Sequence, residues 1–305
     1  MNKPKIYGLI GYPVKHSLSP FMHNAAFEEL KINADYRLFE VKPQELKDFL
    51  LNPDKIVKDT EQNPVRAGDI LGFNITIPHK VRAKEIMEEA FPFEKKMSRG
   101  KDFHYMIVSG AINTVKREKE YTNTDADGFL KSLREDLGFE TKDKIVFVIG
   151  CGGAGRAVIS GLSWISASIK KLYIYEKDNK TVSVVREHFS RFPGLKGKWE
   201  FIPAEQIPDK IKESQLLVNA SPVGMKETDL AVIDRKLLHK DLFIYDVVYN
   251  RDTRLIQDAK SLGLPAIGGL GMLLYQGTSA FEFWTGQAAP IEVMRKALNK
   301  GAKRL

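Results

Sequence analysis

The segment "KIVFVIGCGGAGRAVISGL", residues 144–162, constrains the fold of this chain more than any other stretch. The apolar run Val146 to Ile149 predicts a buried strand, a glycine-rich loop follows, and a helix is expected from about Arg156. Such glycines let the backbone turn sharply and approach a pyrophosphate, while the helix N-terminus adds partial positive charge. A second predicted strand ends at Glu176, 21 residues after Gly155. Strand, loop and helix therefore occur in the order that a dinucleotide-binding Rossmann unit requires.

The loop itself supplies the predicted phosphate contacts. These contacts come from Gly150, Gly152, Gly153, Ala154 and Gly155. A tight turn without a ligand is the alternative interpretation, and the second strand ending at Glu176 argues against it. Cys151 occupies a position that demands a small side chain, so we expect it to pack rather than to take part in redox chemistry.

The residues that follow the second strand bear on the choice of dinucleotide. A carboxylate such as that of Glu176 accepts hydrogen bonds from the adenosine ribose hydroxyls and repels a 2′-phosphate, which favours NAD. Lys177 and Lys180 lie close by along the chain and offer cations for a 2′-phosphate, which keeps NADP open. On Glu176 alone, NAD is the predicted cofactor.

Short apolar runs alternate with amphipathic helical patterns along all 305 residues, which predicts an α/β fold with mostly parallel sheets. The chain is long for a single hydrophobic core, so two domains are expected. Its 43% hydrophobic and 28% charged residues are typical of an ordinary globular protein. The polar segment Asn52 to Asp69 contains two prolines and predicts an extended surface loop.

Composition argues against several other classes of protein. The net charge of +8 comes from lysines and arginines interleaved with acids, which indicates solvated helix faces rather than a nucleic-acid surface. The six histidines are spread out without zinc-like spacing, so no metal site is predicted. No apolar run reaches the roughly 18 residues of a membrane helix, and we find no signal peptide. The single Cys151 excludes an internal disulfide and suits a reducing cytoplasm.

Polar side chains follow several predicted strands in the first half of the chain. They belong to the motifs "HSLSP" (Ser17, Ser19), "NITIPHK" (Asn74, Thr76, Lys80), "GAINTV" (Asn113, Thr114) and "TNTDADG" (Asn123, Thr124, Asp125, Asp127). Taken singly, each motif is explained as a helix cap, a turn or a surface charge. In a parallel α/β sheet, however, ligands collect beyond the carboxyl ends of the strands. Hydroxyl, amide, ammonium and carboxylate groups gathered there suit a small polyhydroxy acid.

Eight motifs, in order along the chain, resemble those of the shikimate dehydrogenase family, which includes relatives that also oxidise quinate. The motifs are "GYPVKHSLSPFMHNAAF", "GFNITIPHK", "GAINTV", "NTDADGF", "VIGCGGAGRAV", "VNASPVGM", "YDVVYN" and "GLGMLLYQG". The resemblance runs over nearly the whole chain. It implies a substrate-binding α/β domain of residues 1–124 with 270–305, a Rossmann-like dinucleotide-binding domain of residues 125–269, and an active site in the cleft between the two domains.

The resemblance also implies roles for individual residues. Lys80 and Asp125 match the family's catalytic pair. The positions that hold the substrate match Ser17, Ser19, Thr76, Lys80, Asn113, Asp125, Tyr249 and Gln276. The positions that hold the cofactor match Gly150, Gly152, Gly153, Ala154, Gly155, Glu176, Lys177, Val247 and Gly269.

The implied reaction is the reversible reduction of 3-dehydroshikimate to shikimate by hydride from a nicotinamide cofactor, a step toward chorismate and the aromatic amino acids. Lys80 would donate a proton to the forming alkoxide in reduction and take it back in oxidation. Burial and a neighbouring carboxylate act on a lysine in opposite directions, so Lys80 and Asp125 are treated as one coupled pair. The implied partner is the small-molecule substrate, and the implied assembly is a monomer or a homodimer.

Two features depart from the family pattern. NADP-using members carry an Asn-Arg pair where this chain has Glu176-Lys177, so the family default of NADP and the local residues disagree. The segments 52–69 and 93–109 are also longer and more charged than expected.

Three alternative functions stay open at the level of sequence. An NAD-dependent quinate dehydrogenase is favoured by Glu176. A catalytically silent dinucleotide-binding protein has no chemical need for both Lys80 and Asp125. A folate-processing enzyme of related two-domain shape fits the "HSLSP" and "NITIPHK" motifs less well than a hydroxy-acid enzyme does.

Overall fold

The computed structural model describes residues 3–92, 100–117, 119–164, 168–192 and 197–304. The chain divides into two compact units, and both have α/β architecture, as predicted. The first unit comprises residues 1–124 and 274–305, and the second comprises residues 125–273. The predicted boundary at residue 270 and the observed return at Leu274 both lie in the helix Leu270–Thr285.

The first unit is built on a five-stranded mixed sheet, accompanied by a separate hairpin. The strands are β1 (Lys5–Gly11), β2 (Ala34–Glu40), β3 (Ile56–Lys58), β4 (Pro64–Arg66), β5 (Ile70–Ile75), β6 (Thr114–Lys116) and β7 (Tyr121–Thr122). The sheet order is β2-β1-β5-β6-β7, with β2, β1 and β5 parallel and β6 antiparallel to both of its neighbours. The carboxyl ends of β1, β5 and β7 and the amino end of β6 therefore share one border, here called the carboxyl edge.

The segment 52–69 is not the extended loop that its composition predicts. Its strands β3 and β4 pair as an antiparallel hairpin, with Val57 opposite Val65, and Val65 is buried in the core of the first unit. The alternation of apolar and polar residues extends over only three residues in each strand. Such a short alternation is below the length at which a strand can be recognised in a sequence.

Helices pack against the sheets of both units. They are α1 (Ser19–Glu29), α2 (Leu46–Leu51), α3 (Lys80–Ala90), α4 (Lys101–Ser109), α5 (Asp125–Glu135), α6 (Gly153–Leu162), α7 (Asn179–Ser190), α8 (Ile207–Glu213), α9 (Arg254–Ser261), α10 (Leu270–Thr285) and α11 (Ile291–Ala302). In the first unit, Leu46 of α2 and Ile86 of α3 pack in one buried cluster with Ile10 and Ile75 of the sheet. Of the charged segment 93–109, residues 93–99 lie outside the described residues, and most of the remainder forms α4.

The second unit contains a six-stranded parallel sheet. Its strands are β8 (Ile145–Ile149), β9 (Lys171–Tyr175), β10 (Trp199–Phe201), β11 (Leu216–Asn219), β12 (Phe243–Asp246) and β13 (Ala266–Ile267). The order β10-β9-β8-β11-β12-β13 is that of a doubly wound Rossmann sheet, in which the chain reverses direction across the sheet beside β8. Strands buried on both faces have to be apolar throughout, as in the fully buried run Val146 to Val148 of β8. A ligand of this fold binds beyond the carboxyl ends of the strands at that reversal.

Within the part of the chain that the structure describes, no helix combines the length and the apolar character needed to cross a membrane.

Candidate active site

Two serines of the first unit lie just beyond the end of β1. The Ser17 hydroxyl donates to Ser19 Oγ at 3.2 Å, and the Ser19 backbone N–H donates to Ser17 Oγ at the same distance. Ser19 is the first residue of α1, and the N-cap residue Leu18 makes no side-chain capping bond. The interpretation of Ser19 as a helix cap is therefore wrong, since the structure places the cap one residue earlier.

Thr76 and Lys80 follow β5 at the same carboxyl edge. The Thr76 N–H donates to the Ile10 carbonyl at 2.9 Å. The Thr76 methyl group packs against Gly11, and a Cβ added to Gly11 would lie only 2.4 Å from that methyl carbon. Lys80 begins α3 and is half-buried, and its carbonyl accepts from the Ile112 N–H at 3.1 Å. The turn that carries Lys80 is therefore anchored at both ends to neighbouring parts of the first unit.

Asn113 and Gln276 come together although 163 residues separate them in the sequence. Asn113 Nδ2 donates to Gln276 Oε1 at 3.4 Å, and both side chains are buried. Asn113 lies at the amino end of β6, which its antiparallel register with β5 places at the carboxyl edge. Two predicted substrate-binding amides are thus direct neighbours.

The other two predicted substrate residues belong to the second unit. Asp125 is buried and begins α5. Tyr249 is half-buried and follows β12, and desolvation raises the pKa of its phenol, so the hydroxyl stays protonated at neutral pH. The first unit contains the other six predicted substrate residues, which are Ser17, Ser19, Thr76, Lys80, Asn113 and Gln276.

The glycine-rich loop has the geometry that phosphate binding needs. Helix α6 begins at Gly153, three residues before the expected Arg156, and its N-cap Gly152 makes no side-chain capping bond. Gly150 has φ of +93°, and a Cβ on Gly155 would lie 2.2 Å from the Gly150 carbonyl oxygen. The first N–H groups of α6 are thus not capped by a side chain, and a pyrophosphate fits this turn.

Cys151 is fully buried within this loop. Burial raises the pKa of its thiol to about 12, so the thiol remains protonated at neutral pH. Both observations agree with the predicted packing role.

The Glu176 carboxylate is attached to the same loop. It follows β9 directly and accepts from the Cys151 N–H at 2.8 Å and from the Asp178 N–H at 3.0 Å. An ionised carboxylate has about four acceptor positions, so both oxygens can still accept from ribose hydroxyls. Lys177 and Lys180 are exposed beside it.

Val247 and Gly269 are in contact beyond the carboxyl ends of strands β12 and β13. The Val247 N–H donates to the Asn219 carbonyl at 2.9 Å, and a Cβ on Gly269 would lie 2.2 Å from the Val247 carbonyl oxygen. Only glycine fits at residue 269, which keeps these two backbone segments in contact.

Sequence reasoning missed the buried carboxylate that holds this region together. Asp246 accepts from Asn219 Nδ2 and the Val248 N–H, both at 3.0 Å, and from the Thr253 hydroxyl at 2.7 Å. Desolvation nevertheless raises the pKa of Asp246. The motifs "VNASPVGM" and "YDVVYN" contained Asn219 and Asp246, but no local spacing shows that they pair.

Comparison with known proteins decides the family. A family model described as the shikimate dehydrogenase substrate binding domain matches residues 9–97, and one described as the shikimate 5'-dehydrogenase C-terminal domain matches residues 269–298. A shikimate dehydrogenase (NADP(+)) of Methanopyrus kandleri is 36% identical over 299 residues, covering 96% of this chain and 94% of that protein. The chain belongs to the shikimate dehydrogenase family. The resemblance inferred from the eight motifs is thereby confirmed.

Solved structures of the shikimate dehydrogenase family share this fold. The Listeria monocytogenes shikimate 5-dehydrogenase, in complex with shikimate and NAD, has a TM-score of 0.76 at 29% identity, covering 97% of this chain and 96% of that one. The Thermus thermophilus enzyme, in complex with NADP(H) and shikimate, has a TM-score of 0.73 at 27% identity, covering 97% and 99%. Since the two neighbours hold different dinucleotides, membership of the shikimate dehydrogenase family leaves the choice of cofactor to local residues.

Proposed function

We propose that the protein is a shikimate dehydrogenase, which interconverts 3-dehydroshikimate and shikimate with a nicotinamide dinucleotide. One observation carries the proposal. In this chain, hydroxyl and amide groups lie together at the carboxyl edge of the first unit, and the second unit contains a glycine-rich turn whose helix start has no side-chain cap. The first set matches a polyhydroxy acid, and the second matches a pyrophosphate. Residues 1–124 with 270–305 would bind the acid, and residues 125–269 would bind the dinucleotide, in a cytoplasmic step toward chorismate.

The acid-binding groups are mostly neutral hydrogen-bonding side chains. We assign the hydroxyls and carboxylate of the acid to Ser17, Ser19, Thr76, Asn113, Tyr249 and Gln276. The Ser17–Ser19 pair and the Asn113–Gln276 pair support this assignment, because each consists of two polar groups that touch at the carboxyl edge. Groups that are already positioned lose little conformational entropy when the acid binds.

We assign the proton transfer to Lys80 and Asp125. When bound, the nicotinamide supplies or accepts the hydride. Lys80 donates a proton to the substrate oxygen during reduction and takes it back during oxidation. The Asp125 carboxylate acts with Lys80 as a coupled acid–base pair. The anchored turn of Lys80 and the burial of Asp125 support their roles, because acid–base catalysis depends on fixed geometry.

We infer that NAD is preferred over NADP. The nicotinamide would be lined by Val247 and Gly269. The pyrophosphate would be held by the glycine-rich loop, through Gly150, Gly152, Gly153, Ala154 and Gly155. The Glu176 carboxylate would meet the adenosine ribose, because its bond to the Cys151 N–H fixes a negative charge against the loop. A 2′-phosphate in that place would be repelled, although Lys177 lies beside it.

An NAD-dependent quinate dehydrogenase is the second candidate, and Glu176 is the observation that favours it. Quinate differs from shikimate by ring saturation and one added hydroxyl, so the same acid-binding groups serve both acids.

One experiment tests the proposal and separates the two candidates. The purified protein is given shikimate or quinate with NAD or NADP, and the reduced nicotinamide is followed by its absorbance. We expect the highest kcat/KM with shikimate and NAD. A preference for quinate supports the second candidate, and no turnover in any of the four combinations refutes both.

A further inference from the structure

A cluster of buried polar side chains surrounds Asn113 in the first unit. Its members are Tyr36, Asn74, Asn113, Thr114, Thr124 and Gln276, and none is more than 7% exposed. Because water has little access, these groups have to satisfy one another, and the direction of each hydrogen bond can be worked out from its partners.

The orientation of Asn74 is set by a group that can only accept. Asn74 Nδ2 lies 3.2 Å from the Asn113 carbonyl oxygen, so the amide nitrogen has to face that oxygen. Asn74 Oδ1 then accepts from the Tyr36 hydroxyl at 2.8 Å. Nδ2 also donates to Thr114 Oγ1 at 3.0 Å. Asn74 therefore makes the Thr114 oxygen an acceptor.

Thr114 in turn helps to orient the side-chain amide of Asn113. The Thr114 oxygen accepts from Asn74, and its hydrogen has two acceptors within reach, of which Asn113 Oδ1 at 3.0 Å is nearer than Thr124 Oγ1 at 3.4 Å. The backbone N–H of Thr124, which can only donate, reaches the same Oδ1 at 2.8 Å. Asn113 consequently turns its oxygen to these donors, and its Nδ2 donates to Thr124 Oγ1 at 3.0 Å and, over a longer 3.4 Å, to Gln276 Oε1.

We propose that Asn74 and Thr114 are positioning residues for substrate binding, which act through Asn113 and hold its amide so that Nδ2 faces the hydroxy acid. The inference rests on the proposed function, in which Asn113 and Gln276 hold that acid. An amide fixed in this way keeps the hydrogen of its long, 3.4 Å contact with Gln276 directed to the side where the acid would bind, so that binding needs no rearrangement of the amide. A rotated amide would present its own oxygen to the oxygens of the acid.

The test is a set of substitutions that change one hydroxyl and little else. Thr114→Val removes the hydroxyl at nearly constant volume, and Thr114→Ser keeps it. The matched control is Thr278→Val, because Thr278 is also buried in the first unit and its hydroxyl donates to the Tyr275 carbonyl within its own helix α10, at 2.8 Å. For each variant, KM is measured separately for shikimate and for the preferred dinucleotide, together with kcat.

We expect Thr114→Val to raise the KM for shikimate about tenfold, the effect of one buried hydrogen bond, while the KM for the dinucleotide stays unchanged. Thr114→Ser should restore the KM for shikimate to within about twofold of the wild type, and Thr278→Val should leave it unaltered. An unchanged KM for shikimate in Thr114→Val, or an equal rise in Thr278→Val, overturns the inference.

Two controls keep the outcome clear. If Thr114→Val does not fold, Thr114→Cys is read by the same criterion, because a thiol fills the space and bonds only weakly. A wild type that turns over neither shikimate nor quinate refutes the proposed function and removes the basis of the inference. A wild type that is active while Thr114→Val binds shikimate normally refutes the positioning roles alone.

Discussion

Glu176 combines two tasks in one carboxylate. Its bonds to the N–H groups of Cys151 and Asp178 stabilise the turn of the glycine-rich loop. The same bonds hold its charge where the adenosine ribose is expected. A structural task and a selective task therefore depend on the same side chain, and a test has to separate them.

Glu176→Gln tests the selective task, because glutamine loses the charge and keeps an oxygen that can accept from the Cys151 N–H, while the bond from the Asp178 N–H is lost. We expect the ratio of kcat/KM for NADP to that for NAD to rise about tenfold, equivalent to roughly 1.4 kcal/mol. The control is Glu205→Gln, an exposed glutamate elsewhere in the second unit. A ratio that stays at the wild-type value would show that Glu176 does not select the cofactor.

Lys80 and Asp125 are the residues whose removal tests the chemistry itself. We expect Lys80→Ala and Asp125→Ala each to lower kcat by roughly 10²–10⁴, the usual contribution of positioned acid–base groups, without unfolding the protein. The exposed Lys47 provides the matched control, since Lys47→Ala removes a lysine of the same unit. Near-normal turnover in either variant, measured at saturating substrate, would exclude that residue from proton transfer.

At the scale of elements, the carboxyl edge of the first sheet explains why motifs distant in sequence come close together. Strands β1 and β5 run parallel and both end there, so Ser17 and Thr76 arrive on the same side. Strand β6 runs antiparallel and begins there, which brings Asn113 to the same edge. Helix α10 then adds Gln276 from the end of the chain.

The start of helix α6 allows a test of whether the phosphates of the dinucleotide approach the glycine-rich loop. Gly152 has φ of −69°, which alanine adopts, and nothing lies within 4 Å of the position that a Cβ would take. We expect Gly152→Ala to fold normally and to raise the KM for the dinucleotide at least about tenfold, because the methyl group occupies the path of a phosphate.

The control for Gly152→Ala is Gly100→Ala. Gly100 also precedes a helix with negative φ and has nothing near its Cβ position, but it belongs to the first unit. An equal KM for the dinucleotide in both variants would show that phosphates do not approach the loop at Gly152.

At the scale of the whole molecule, His23 links stability to pH. It is fully buried, stacks on Tyr36 with ring centroids 4.3 Å apart, and neither ring nitrogen has a hydrogen-bond partner among the described residues. Burial lowers its pKa from 6.5 to about 3, so the folded protein holds it neutral. Between these two values the unfolded chain binds more protons, and stability has to fall as the pH falls.

We expect His23 to contribute a loss of about 2 kcal/mol in the free energy of unfolding between pH 7.5 and pH 5. The loss should be absent from His23→Phe, which keeps an aromatic ring against Tyr36, and should persist in His16→Gln, which changes an exposed histidine. Urea unfolding at both pH values measures it. Equal pH dependence in the wild type and in His23→Phe would contradict the buried neutral state.

The sequence predicts the overall plan of this protein well, because that plan depends on short-range patterns. Apolar runs and helical periodicity indicate α/β units, and the strand-loop-helix order around Gly152 indicates the Rossmann sheet. The exceptions are local. The hairpin of β3 and β4 is too short to leave a periodic signal, and α6 starts earlier than Arg156 because glycines do not mark the first residue of a helix.

The sequence by itself determined the family, the enzyme class and the residues that carry polar groups, since these follow from which side chains occur in which order. Only the tertiary structure decided which of them meet. Asn74 bonds to Asn113 and Thr114, 39 and 40 residues further along the chain, and Asp246 bonds to Asn219, 27 residues before it, and this pairing depends on sheet register. Because a side chain's hydrogen bonds are set by what surrounds it in space, their directions became readable only once the chain was folded.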